Sequence, residues 1–346
     1  MPDNIESAEQ PQRPPRSARK PKGVRPGVLL AAIGVVLLAA VIAGGVWWHM
    51  SRPVGVVDLK KPSGDATATV SYAGQFPPDD RPKLLNPLGI AIEGERLYVA
   101  ESDAARISVF GLSGEVLGSI PLPAAAGALA AYPADVAVVN PELLAVVDTA
   151  AQRVVLIASD PQAESIPVIA GAADKKTAPA QPTAVAASDG EVFVADSATR
   201  DIKVYDSDGG FVRSIGGDLK PALTFVGGMC VLGDGLYVTD SNAGKILLLD
   251  LATGKQIAIF PDSRALPRGI TAGPDDGLLV VDTFSRTVDI TSGDGTRVDL
   301  IDGEASGDGA LGSPRDIAWD AGDSRAYVTD ATSGLIKVYN IRSRAK

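Results

Sequence analysis

The chain has 346 residues, of which 45% are hydrophobic and 21% are charged, a balance typical of a protein that folds around an apolar core. The net charge of −10 is uneven, because residues 1–27 hold six basic and three acidic residues and the remainder is strongly acidic. An acidic domain repels phosphate backbones, which excludes nucleic acid as a partner. The single cysteine, Cys230, excludes an intramolecular disulfide.

The first predicted element is an apolar helix from Val28 to Trp48, a segment without charged residues. A helix of that length spans roughly 31 Å, which matches the hydrocarbon core of a bilayer. Basic residues lie directly before it and only Arg52 follows closely, so the positive-inside bias places the N-terminus in the cytoplasm. A cleaved signal peptide is the alternative, and either one exports the rest of the chain. The sequence therefore predicts a disordered basic cytoplasmic tail over 1–27, a transmembrane helix over 28–48 and a linker over 49–65.

One sequence pattern then recurs six times. Each copy begins with a proline, or with Val226 in the fourth copy, and has a glycine, aspartate or alanine two residues further on. A second strand that ends in an acidic residue follows about ten residues later. The mean spacing of about 46 residues, with Gly- and Asp-rich turns between short alternating runs, is typical of four-stranded propeller blades. The six acidic residues are Glu101, Asp148, Asp196, Asp240, Asp282 and Asp330.

Two features predict that the blades close into a ring. The sixth copy lacks an outer strand, and the run Ala68–Phe76 before the first copy matches the missing element. A small residue ends each first strand, where six strands are expected to converge on the axis. These small residues are Ala91, Ala137, Ala186, Cys230, Thr271 and Ala318. The propeller is thus predicted over 66–342, with a short C-terminal tail over 343–346.

The third copy reads VADSATRDIKVY over residues 194–205, and this pattern, repeated at even spacing, resembles the NHL repeat. The departures are Val226 for proline, Glu101 for aspartate, and Leu335 at a position that is usually basic. The resemblance implies an all-β, six-bladed β-propeller. The apolar run and the basic residues before it predict that this propeller is preceded by one transmembrane α-helix, in a single-pass protein of the bacterial cell membrane with an extracytoplasmic propeller.

The repeated acidic residues have two interpretations. They could form an acidic ring, but each starts a turn in which a carboxylate accepts backbone amides two residues on, and that structural role explains its presence in every copy. Each is also expected to pair with a nearby base, as Asp148 with Arg153. Aspartate-rich runs hint at calcium, but no complete calcium loop is present. A calcium ion in the central channel stays open, without assignable ligands.

Three long connections are expected to emerge on the same face as the turns that carry the acidic residues. Insertions on one face of a repeat protein mark a binding face, although simple loop growth is the alternative. The connections run from Pro121 to Tyr132, from Gly171 to Gln181 and from Gly303 to Ser313.

The sequence favours a binding protein over an enzyme. Propeller enzymes that these repeats resemble, such as amidating lyases, streptogramin lyases and soluble quinoprotein dehydrogenases, use histidines, whereas the single histidine here is His49 beside the membrane segment. No catalytic or cofactor-binding residue can be assigned. We therefore expect a membrane-tethered module that binds a protein or cell-envelope partner. A small-ligand sensor and a calcium-dependent hydrolase or lactonase that uses the central channel are the alternatives, and nothing indicates an oligomer.

Overall fold

The computed structural model describes residues 68–125, 130–163, 167–260, 264–302 and 309–343. These residues form six four-stranded antiparallel sheets, and the fold is an all-β six-bladed propeller. The predicted tail, transmembrane helix and linker lie outside the described residues. Within the described ranges, no helix has both the length and the apolar character needed to cross a bilayer.

Each blade runs from an inner first strand to an outer fourth strand. Blades 1 and 2 contain β2 (Pro87–Glu93), β3 (Arg96–Glu101), β4 (Arg106–Gly111), β5 (Val116–Pro121), β6 (Pro133–Asn140), β7 (Leu143–Asp148), β8 (Arg153–Ala158) and β9 (Val168–Ile169). Blades 3 and 4 contain β10 (Pro182–Ser188), β11 (Glu191–Asp196), β12 (Asp201–Tyr205), β13 (Phe211–Ile215), β14 (Val226–Leu232), β15 (Gly235–Asp240), β16 (Lys245–Asp250) and β17 (Gln256–Phe260). Blades 5 and 6 contain β18 (Pro267–Ala272), β19 (Leu278–Asp282), β20 (Thr287–Thr291), β21 (Arg297–Asp302), β22 (Pro314–Asp320), β23 (Arg325–Asp330), β24 (Leu335–Ser343) and β1 (Ala68–Phe76).

The hairpins between first and second strands lie at the face opposite the acidic turns. In blade 3 this hairpin turns at Asp189 and Gly190, which both have positive φ angles of 51° and 77°. Two successive residues with positive φ match the right-handed twist of the flanking strands, which is why Asp-Gly occurs at such turns. The first strands of successive blades contact one another all the way around, including β22 with β2, so the ring is closed.

The core lies between neighbouring blades and is built from their second and third strands. The largest fully buried side chains include Tyr98, Phe193, Tyr205 and Tyr327. Hydroxyl groups add polar ties between blades at the level of the acidic turns: Ser102 Oγ donates to the Pro133 carbonyl at 2.6 Å, and Thr283 Oγ1 donates to Pro314 at 2.7 Å. Each tie links one blade to the next.

The strand β1 completes blade 6, as the sequence predicted. It pairs antiparallel with β24, from Ala68 opposite Ser343 to Phe76 opposite Ile336. This pairing covers the outer edge of β24, which would otherwise present unpaired backbone groups. Phe76 lies between the last and first blades, with its ring centroid 5.5 Å from that of Phe110 and 6.2 Å from that of Tyr327.

Substitution Phe76→Ala should lower the free energy of unfolding by about 3–5 kcal/mol, because it leaves a cavity where the ring closes. Phe211→Ala is the matched control, since the Phe211 side chain on the outer strand of blade 3 is 39% exposed and should cost less than about 2 kcal/mol. Urea unfolding monitored by circular dichroism measures both. Equal losses in the two variants would contradict a closing role for Phe76.

Candidate functional site

The six acidic residues at the ends of the second strands are buried and define what we call the turn-acid face. Asp330 accepts hydrogen bonds from the amides of Thr332 and Ser333 in its own turn, both at 3.1 Å. It also accepts from Gly312 and Ser313, in the backbone that leads into the first strand of the same blade. The same two sets of backbone amides, those of the turn and those before the first strand, donate to Asp196, Asp240 and Asp282 in their blades. Each of these aspartates therefore joins two backbone segments of its blade, whereas Glu101 accepts from one backbone amide, that of Leu85.

Basic partners of the acidic residues differ between blades. Arg153 Nε lies 2.9 Å from Asp148 Oδ2, whereas Asp196 pairs at 2.9 Å with Lys203, seven residues further on. Burial opposes ionisation of Asp196, but the Ala180 amide and Lys203 outweigh it and lower its pKa. These buried, fully bonded carboxylates hold the turns in place and are not arranged as an open acidic ring.

The long connections contribute to the turn-acid face in different ways. Tyr132 and Gln181, which end the first two connections, line a cavity at the mouth of the central channel. Asn86 Nδ2 donates to Tyr132 Oη at 2.8 Å and holds that ring in place. At the other ends, Pro121 closes β5, and the buried Gly171 donates its amide to the Gly209 carbonyl at 2.8 Å.

The third connection is described only at its end. Gly303 lies outside the described residues, and the Ser313 amide bonds to Asp330. A fourth connection, residues 216–225, was missed by the sequence reasoning although it is only slightly shorter than the others. It brings Phe225 to the mouth of the channel.

The central channel holds two cavities, one at each end. The mouth cavity, on the turn-acid face, has a volume of about 300 Å³. The second, toward the opposite face, has about 260 Å³ and is lined by the predicted small residues, Cys230 among them. The structure places these residues within the first strands and not at their ends. Burial raises the pKa of the Cys230 thiol to about 12, so this thiol is not a thiolate nucleophile. Asp135 and Asp316 line both cavities and form the waist between them.

The waist carboxyls bridge neighbouring blades. Asp135 accepts from the Val185 amide of blade 3 at 2.8 Å, and Asp316 accepts from the Ile90 amide of blade 1 at 2.8 Å. Burial and the charge of Asp316 raise the pKa of Asp135 well above its usual range, and burial raises the pKa of Asp316 to about 7. The pair therefore retains a proton near neutral pH.

Glycines beside the waist make room for these carboxyls. A Cβ atom added at Gly89 would lie 2.8 Å from Asp135 Oδ1, and one added at Gly269 would overlap the Asp316 carboxylate. Both glycines occupy the same repeat position as the aspartates, one blade earlier. Each aspartate thus fills the space left by the absent side chain of its neighbour.

Two arginines of blades 5 and 6, Arg268 and Arg315, line the mouth cavity beside Phe225. The guanidinium carbon of Arg268 lies 5.3 Å from the centroid of the Phe225 ring. Burial and the charge of Arg315 lower the pKa of Arg268. Basic and acidic groups therefore occupy successive levels of one channel.

Among the described residues, no group of three or more histidine, cysteine, aspartate or glutamate side chains is placed to hold a metal ion. The channel carboxyls that could contribute oxygen ligands are Asp135, Asp316 and, toward the opposite face, Glu93. Calcium in the channel stays a prediction, as does the absence of any other cofactor.

Comparison with solved structures finds similar propellers. A streptogramin B lyase is 15% identical, with a TM-score of 0.55 over 81% of this chain and 100% of that chain. The selenomethionine-substituted virginiamycin B lyase from Staphylococcus aureus is 16% identical, with a TM-score of 0.53 over 79% of this chain and 99% of the other. A protein of unknown function from Bacteroides thetaiotaomicron is 14% identical, with a TM-score of 0.59 over 80% and 77% of the two chains.

These likenesses show the six-bladed propeller fold. At such low identity they show the fold alone. No protein-family model matches the sequence, so the resemblance to NHL repeats stays a prediction. No curated protein is similar enough in sequence to match it.

Substitution Asp330→Ala should lower the free energy of unfolding by about 3–5 kcal/mol, because four backbone amides lose the buried carboxylate that accepts their hydrogen bonds. Asp323→Ala is the control, since Asp323 is 60% exposed in a surface ion pair with Arg325 and should cost less than about 1 kcal/mol. Chemical denaturation measures both. A loss below about 1 kcal/mol for Asp330→Ala would refute the structural role.

The raised pKa of Asp316 predicts a specific pH dependence. The protonated carboxyl is favoured in the folded state, so its contribution to stability is complete below the unfolded pKa and is lost as the pH rises to about 7. Between pH 5 and pH 8 the wild type should lose about 2 kcal/mol relative to Asp316→Asn. Asp208→Asn, at an exposed hairpin carboxyl, should show no such difference. Parallel wild-type and Asp316→Asn pH profiles would contradict the assignment.

Proposed function

We propose that this chain is a membrane-anchored, extracytoplasmic binding module. Its turn-acid face recognises a protein or cell-envelope partner, and the mouth cavity lies at the centre of the recognition surface. The observation that carries the proposal is the cavity itself, about 300 Å³ in volume, with Tyr132 and Gln181 in its wall. A concave site with a few convergent polar groups is the usual form of a binding site.

Exposed apolar side chains on the same face support this choice. Phe284 follows Asp282 in the turn of blade 5 and is 78% exposed, and Leu85 lies beside Glu101 and is 54% exposed. Large exposed apolar side chains are typical of surfaces that bind another protein or a polymer. Membrane anchoring is supported by the uncharged run from Val28 to Trp48 and by the bases before it.

Histidine-dependent lyase chemistry does not fit this chain. One similar solved structure is described as a catalytically inactive histidine-to-alanine variant of virginiamycin B lyase from Staphylococcus aureus with quinupristin. The single histidine here, His49, precedes the propeller strands in the sequence. The propeller strands and turns thus offer no imidazole base, and we favour binding without turnover.

A small-ligand sensor is the second candidate, and the charged levels of the channel favour it. Buried charged groups cost free energy unless a partner compensates them, so Arg268 and Arg315 above the waist suit a ligand that enters the mouth cavity. Partner binding and small-ligand binding are compatible if the partner inserts a small group into the mouth cavity. No comparable feature favours a calcium-dependent hydrolase or lactonase.

Site-specific photocross-linking in intact cells tests the recognition face. A photoreactive amino acid replaces Gln181 at the mouth or Asp189 in the hairpin at the far end of the same strand, and both positions are exposed. The full-length protein should form a discrete adduct from Gln181, to be identified by mass spectrometry, and none from Asp189. Adducts from Asp189 alone would place binding on the other face, and the absence of adducts from both would reject a stable partner.

A further inference from the structure

The six blades are approximately equivalent, so a comparison of equivalent positions shows which residue types the fold requires and which it does not. The second residue of each first strand occupies an equivalent position at the channel mouth. Four blades use uncharged residues there, and two use arginine, so the fold does not require a charge at this position. The six residues are Leu88, Ala134, Thr183, Gly227, Arg268 and Arg315.

The two arginines are placed at a cost to the folded protein. The Nε atom of each is buried and has no hydrogen-bond partner among the described residues. No ion pair in that part of the chain involves either guanidinium, and the carboxyls at the waist bond backbone amides instead. Their mutual repulsion contributes to the lowered pKa of Arg268. Both side chains are only partly buried and line the open mouth cavity, and like charges held together without an ion-pair partner suit an external partner of opposite sign.

We propose that Arg268 and Arg315 bind a carboxylate group that is inserted into the mouth cavity. The proposal deepens the proposed binding function by naming the chemistry that the recognition face takes. A guanidinium group is planar and presents paired donors that match the two oxygens of a carboxylate. The Phe225 ring, which lies against Arg268, offers an apolar surface for the rest of the ligand.

The waist favours a group with a single negative charge over a doubly charged phosphate. Asp135 and Asp316 form the floor of the mouth cavity, and burial raises both of their pKa values, so together they carry less than two full negative charges near neutral pH. With two arginines above them the cavity is positively charged, which suits one carboxylate. The retained proton can also donate a hydrogen bond to a carboxylate oxygen.

Two sources present this chemistry: a small organic acid and the C-terminal carboxylate of a partner protein. Binding to the purified full-length protein in nanodiscs distinguishes them. Benzoate, with benzamide as its neutral match, is titrated into the millimolar range expected for so small a ligand. A tetrapeptide with a free C-terminus is compared with its C-terminal amide. Calorimetry gives the affinity, and the thermal midpoint is measured with and without each probe.

We expect benzoate or the free-acid peptide, but not its neutral match, to bind and to raise the thermal midpoint. Arg268→Gln and Arg315→Gln should each weaken binding about tenfold or more. Arg81→Gln, an exposed arginine before β2, should bind as the wild type does. Without a probe, the two glutamine variants should melt at or above the wild-type temperature, because an uncompensated charge is removed.

Binding of the peptide alone would identify a protein C-terminus as the source, and binding of benzoate alone a small acid. Three results would overturn the carboxylate site: neither acid binds, the neutral matches bind equally well, or binding is unchanged in both glutamine variants. A lower melting temperature of both variants would show that the arginines stabilise the fold, and would also overturn it. Loss of the Gln181 adduct with retained acid binding would reject the partner role and leave this site standing.

Discussion

The position of every first strand depends on one buried carboxylate. At the ends of five second strands, an aspartate accepts amide hydrogen bonds from the turn ahead and from the backbone that enters the blade, as Asp330 does with Thr332 and Gly312. In the first blade, Glu101 accepts only from the entering backbone, at the Leu85 amide. Because the carboxylates are buried, removing one leaves several of its donors without their acceptor. The contact fixes the start of the inner strand against the second strand, and six such contacts fix the shape of the channel mouth.

The charged groups in the channel are residues that differ from those at the equivalent positions of the other blades. Equivalent positions carry glycine or alanine in most blades and aspartate in two, Asp135 and Asp316. The aspartates fit because the preceding blades have glycine at the equivalent position. Gly89 and Gly269 have no side chain that would occupy the space taken by Asp135 and Asp316. The same ring of strands thus holds an acidic level and, nearer the turn-acid face, a basic level. The propeller as a whole is acidic, so a basic cavity within it offers anions a local site that the surrounding surface does not.

The propeller could be predicted from the sequence because each copy of the repeated pattern encodes the strands and turns of one blade. The even spacing of Glu101 to Asp330 and the orphan run Ala68–Phe76 were enough to give six blades and the closing strand, and the structure confirms both. The membrane helix falls outside the described residues and stays a prediction.

The channel residues were not predicted, because the repeat pattern treated glycine, aspartate and alanine as interchangeable at one position. A usable signal was present in the sequence, because some copies have a charged residue where the other copies have a small or uncharged one. These charged residues are Asp135, Asp316, Arg268 and Arg315. Distant pairs, such as Arg264 Nε with Asp289 Oδ2 at 2.7 Å, leave no pattern in the sequence, since the arginine comes from a connection with no fixed repeat position.

The pairing of β1 with β24 also sets an order of events during synthesis. Tyr72 and its partner Tyr339 lie at opposite ends of the described chain, so this contact has one of the largest sequence separations in the molecule. The first strand must therefore wait, unpaired, until the last three strands have been made, and contacts of this kind slow folding. A chain interrupted before Leu335 would hold five finished blades and two bare sheet edges. Such an intermediate is a target for edge-to-edge association, and its lifetime is limited by how soon the final strand arrives.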